Sequence, residues 1–122
     1  MAIIDDLFAP SFTARASNYP SVGLDQFKQA LGMSHSALPD LKITIEDQIA
    51  EEDKVVTRWT AHASHKGKFI GLEPTGKTIK LTAIHIHRIA GNKIAELWEE
   101  INLLNVMQPD GNLNQLIQKL DR

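Results

Sequence analysis

The chain has no cysteine among its 122 residues. Disulfide staples, thiolate catalysis and cysteine-based zinc or iron–sulfur sites are therefore excluded. Aromatic residues are scarce at 6%, with one Tyr, two Trp and four Phe. An excess of either charge is also lacking: 13 Lys and Arg stand against 15 Asp and Glu, a formal net charge of −2. So weak a field does not hold a nucleic-acid backbone, which requires accumulated cationic charge. No apolar run approaches the roughly 18 residues of a membrane span. The opening Met1-Ala2-Ile3-Ile4-Asp5-Asp6 carries two acids and no basic segment, unlike a secretory leader. The expectation is a cytoplasmic protein with neither nucleic acid nor membrane as a partner. What is present is a globular mixture, 43% hydrophobic and 23% charged, at a length that suits one domain over residues 1–122.

The hydrophobic period changes along the chain. Residues 2–8 can form one or two helical turns before Pro10 interrupts them. Ser11 to Val22, with Pro20 inside it, reads as irregular, with a short extended piece at Phe12–Ala14. After Gly23, Leu24, Phe27, Ala30, Leu31 and Leu38 predict an amphipathic helix that Pro39 ends. Residues 1–40 are thus mainly helical and irregular, and 41–102 form an antiparallel sheet. Leu41, Ile43, Ile45, Asp47 and Ile49 alternate with polar residues as a half-buried strand. Further strands follow over about 54–66, 78–90 and 93–101, the last two joined by the two-residue turn Gly91-Asn92. Leu113, Leu116, Ile117 and Leu120 predict a tail helix over 108–122, with Asp110 or Asn112 as its cap. Four meandering strands and few helices make an α+β domain. One helix covers little of such a sheet, so a partner subunit is expected on part of its apolar face.

Gly71 to Thr78 matches G-x-x-x-x-G-K-[ST], the phosphate-cradling loop. That chemistry needs a helix after the loop. Here Thr78-Ile79-Lys80-Leu81-Thr82-Ala83 alternates as a strand, and Pro74 removes a backbone donor. A hairpin loop is the better reading. His85 and His87 lie two apart and share a strand face with Ile79, Leu81, Ala83 and Ile89. Two imidazoles among apolar neighbours either fill space or move protons near neutral pH. Trp98, Glu100 and Asn102 share a face of the next strand, and His65 shares parity with Trp59. Glu100 becomes a candidate base if walled in by apolar groups. His85, His87 and Glu100 also form a possible two-histidine, one-carboxylate metal set.

Three stretches taken together resemble the SnoaL-like polyketide cyclases. They are Ile45 to Ala61; Ser64-His65-Lys66-Gly67-Lys68-Phe69-Ile70-Gly71 with Pro74-Thr75-Gly76-Lys77; and the hairpin Ile84 to Glu99. The resemblance runs from Ile3 to Met107. It implies the cone-shaped α+β half-barrel shared with nuclear transport factor two and ketosteroid isomerase. In that fold a curved sheet wraps an apolar pocket, helices cover the concave face, and the outer face of the sheet commonly pairs subunits. It further implies intramolecular aldol ring closure on a polyketide ester, with no cofactor and no metal, and an aspartate near the end of the last strand as the base. Asn102 stands at that aspartate position. A neutral amide is no general base, so proton abstraction would pass to His85, His87 or Glu100, and Asn102 would hydrogen-bond a carbonyl or enolate. The family's longer first helix is largely missing before residues 2–8, which leaves apolar surface for a second chain or a ligand to cover.

These expectations define an α+β pocket protein, dimeric or higher, binding an apolar or aromatic small molecule. Trp59, His65, His85 and Trp98 would line the site, and His87, Glu100 and Asn102 would carry the chemistry. The functions implied are a cofactor-independent cyclase or isomerase, or else a binding module that lost its base at Asn102.

Overall fold

A computed structural model describes residues 2–17, 19–69 and 73–102. Helix α1 (Ala2–Leu7) leads into strand β1 (Phe8–Ala16), β2 (Tyr19–Gly23) and helix α2 (Leu24–Ala37). Strands β3 (Lys42–Glu51), β4 (Lys54–Ser64), β5 (Thr78–Ala90) and β6 (Lys93–Asn102) follow. They form one curved six-stranded sheet in the order β2-β1-β6-β5-β4-β3. All pairs are antiparallel except β1 with β6. The architecture is α+β and cone-like. The expected tail helix over 108–122 lies outside the described residues.

Two of the six strands arise where the sequence reads as irregular. Pro10 falls inside the register break of β1 against β6, between Phe8 and Thr13, where no regular ladder bond is lost. Pro20 lies on β2, an edge strand, where a missing N–H is tolerated. Between them Phe12 and Ala14 alternate into the core.

Helix α2 covers one face of the sheet, here called the inner face, and meets it at its two ends. Near its start Phe27 and Leu24 join Phe8, Phe12, Ala14, Val22, Ile94 and Leu97. Three rings interlock there, with centroids 4.9 Å apart for Phe8–Phe12 and for Phe12–Phe27. At its end Ala37 and Leu38 pack on Ala61, Ala63, Phe69, Ile79 and Leu81. The carbonyl of Ala37 accepts bonds from the N–H groups of Lys66 and Gly67. Asp40 clamps the end of β4, accepting from the Ser64 amide at 2.8 Å and its hydroxyl at 2.7 Å. The middle of the inner face lies between these two apolar clusters.

Strand β3 corrects the expectation of a half-buried strand, because every residue along it is exposed. It is an edge strand with a bulge between Ile45 and Asp47. Ile43 and Ile45 therefore share the inner face, while Ile49 turns to the outer one. The Gly91-Asn92 turn has φ of 58° and 63°, the left-handed pair that a type I′ hairpin requires. Thr78 opens a strand and not a helix, so the helix that a phosphate loop requires does not follow it.

Candidate functional site

The site follows from the β5–β6 register. An unbroken two-residue hairpin that pairs Ala90 with Lys93 would carry His85 opposite Trp98. A bulge after Ile89↔Ile94 shifts the ladder by one residue, so that Arg88 faces Glu96 and His85 faces Glu99. Side chains alternate between faces, so one extra residue moves the rest of β6 to the opposite side. Glu99 thereby joins His85 on the inner face. Trp98, Glu100 and Asn102 go to the outer face opposite Ile86, Ile84 and Thr82. Asn102 is thus parted from His85 by the sheet, while Trp59 and Asn102 border one hollow.

On the inner face a polar row crosses the whole sheet: Gln48, Thr57, His85, Glu99, Ala16 and Tyr19 are successive register partners. Gln48 donates to the Thr57 hydroxyl at 3.0 Å. His85 Nε2 lies 2.8 Å from Glu99 Oε2, with the two side chains only 17% and 19% exposed. The approach is off the direction of an aligned hydrogen bond, so it is a close contact of the ring nitrogen with the carboxylate. Trp59 presents its ring edge-on to His85, centroids 5.5 Å apart, and His87 lies at the same distance on the other side.

Burial, and then the neighbouring His85, pulls the His87 imidazole below its ordinary value of 6.5. His87 is therefore a neutral ring with a free lone pair at neutral pH, the state a proton acceptor needs. Burial, and then the Glu99 carboxylate, pushes the Tyr19 phenol up to about 12, so that it keeps its proton.

The outer face carries different chemistry. Arg15 stacks 5.5 Å over the Trp98 ring, and Glu100 accepts from the Ser17 hydroxyl at 2.9 Å. Arg88 and Arg15 both bind Glu96, at 2.7 and 3.1 Å. An open hollow of about 380 Å³ is lined by Arg58, Trp59, Thr60, Thr82, Glu100 and Asn102. A second, of about 250 Å³, includes Arg15, Ser17, Ile86 and Trp98. His65 belongs to neither face's centre. Its fully buried ring sits beside Phe69 beyond the end of β4, roughly 25 Å along the strand from Thr57. Its backbone holds Lys77 and Gly76. The metal set of His85, His87 and Glu100 fails because Glu100 is on the other side of the sheet. Among the described residues no three such side chains gather as ligands.

Glu99, Tyr19 and Thr57 were missed by sequence reasoning. Glu99 had a signal in its spacing from the histidines, but the bulge that turns it inward leaves no composition mark. Tyr19 falls in the stretch read as irregular.

A curved α+β sheet cradling one long helix, with acid–base side chains between two apolar clusters, defines the class of cone-fold proteins. The model of the SnoaL-like polyketide cyclases matches residues 1–109, and this chain belongs to that family. It is similar to the structure of AclR, described as a putative hydroxylase, from Streptomyces galilaeus, at 28% identity and a TM-score of 0.75, over 84% of this chain and 69% of that one. TsrD from Streptomyces laurentii is 27% identical, with a TM-score of 0.77 over 88% and 80% of the two chains. A putative SnoaL-like polyketide cyclase from Jannaschia sp. CCS1 shares the fold at 21% identity, with a TM-score of 0.81 over 88% and 75%. None of the curated proteins matches this chain.

Proposed function

We propose that the middle of the inner face binds an apolar or aromatic, enolisable carbonyl compound. There the protein catalyses proton transfer of the cyclase or isomerase type. His87 takes the proton from carbon. His85 donates to the carbonyl oxygen as negative charge develops on it, and Trp59 supplies a flat apolar wall. The single observation that supports this most is the neutral His87 ring 5.5 Å from a His85 that itself touches Glu99. Such a pair places an acceptor and a donor within one small molecule's reach.

The test is deuterium uptake from D2O into the carbon acid of an aryl 1,3-diketone, followed by mass spectrometry. Wild type exchanges above the buffer rate, and His87→Ala loses at least about 100-fold, the usual worth of a positioned general base. Asn102→Asp leaves the rate unchanged, since that side chain belongs to the outer face. Wild type without exchange but with bound diketone would make the protein a binding module. A gain in Asn102→Asp would return the base to the family's position.

The outer face supports a homodimer. Ile49, Ile84 and Ile86 are exposed there at 63%, 47% and 36%, an apolar row that calls for cover. Arg58 and Glu100 flank Ile84 on opposite sides. A two-fold axis along β5 sets each Arg58 over Glu100 of the second copy and Ile84 against its counterpart.

A further inference from the structure

Sheet register brings Glu99 and His85 face to face, and among the described residues nothing else on the inner face offers His85 a charge of opposite sign. The acids Glu96 and Glu100 project from the other side of β6. Tyr19, the titratable group contributed by β2, keeps its proton. β3 and β4 contribute Gln48 and Thr57 to the row, and these bond to each other. His87 is the remaining titratable neighbour on β5.

We propose that Glu99 is the positioning residue of the imidazole pair: it holds a proton on Nε2 of His85, making His85 the donor and leaving His87 as the acceptor. A carboxylate oxygen has only lone pairs to offer. At 2.8 Å it repels a ring nitrogen that presents a lone pair and attracts one that carries hydrogen. The lowered His87 value, set by burial and then by its neighbour His85, leaves His87 as the acceptor. The two rings are thus given opposite roles by a residue that touches neither the reacting carbon nor the base. The inference rests on the proton-transfer reading for its use, but not for its test.

The experiment is nitrogen-15 NMR of the histidine rings in the ligand-free full chain, across pH. In wild type His85 shows the Nε2-protonated form. In Glu99→Gln the His85 ring no longer keeps that single form. Where Glu99→Gln does not fold, wild type decides: a neutral His85 ring with its hydrogen on Nδ1 overturns the proposal. An unchanged His85 form in Glu99→Gln overturns it as well. Because no ligand is present, this outcome is independent of whether the diketone exchanges deuterium.

Discussion

His85 and Glu99 meet across β5 and β6 at 2.8 Å, in a place where both side chains are largely shielded from water. The contact exists because one extra residue in β6 turns Glu99 inward. It puts a carboxylate, two imidazoles and a tryptophan on the stretch of sheet that α2 leaves between its two anchoring clusters.

Stability should depend on His87 in acid. Its folded value lies below the unfolded value of 6.5, so the unfolded chain binds more protons in that interval. The neutral buried ring costs nothing above about 6.5; stability falls as pH drops from there towards the folded value, then levels off. Urea midpoints for wild type and His87→Gln across this range should show the extra acid slope in wild type only.

Tyr19 should act at the alkaline end. Its folded value of about 12 stands above the unfolded 10.0. The stability this supplies is present below pH 10.0 and is lost as pH rises towards 12. Thermal unfolding of Tyr19→Phe should lack that alkaline decline.

Much of the architecture follows from pattern. The alternation of β4 and β5, the Gly91-Asn92 turn and the helix after Gly23 are all plain in the residue order, and so is the shared face of His85 and His87. Two kinds of feature are not. Pro10 and Pro20 disguise β1 and β2, because an edge position and a register break excuse a proline that a central strand would reject. The bulges near Ile45 and Ala95 depend on how neighbouring strands pack, and a single one reverses every face beyond it. For that reason Glu100 and Asn102 read as partners of His85 although Glu99 is the one that meets it.

Gly67 should not tolerate a side chain. A Cβ there would lie 2.9 Å from the Cα of Ala37, a backbone atom that cannot swing aside. Gly67→Ala should destabilise the protein by roughly 1–3 kcal/mol, the usual cost of overpacking. It should do so by loosening the end of α2, read as faster amide exchange at Lys66 and at position 67.

A charge on the outer face should break the proposed dimer. Each Ile84 side chain is worth ~1.5–3 kcal/mol when buried. Ile84→Glu should therefore weaken dimerisation at least tenfold by sedimentation equilibrium, with the melting temperature of the monomer unchanged. A wild-type chain that sediments as a monomer removes the dimer from the account.

The two tryptophans lie on opposite faces, Trp59 inside beside His85 and Trp98 outside beneath Arg15. Their indole N–H resonances therefore separate the two surfaces in one spectrum. Titration with an aryl 1,3-diketone should shift the Trp59 resonance saturably and leave Trp98 in place. Movement of Trp98 with Trp59 still would contradict an inner-face site.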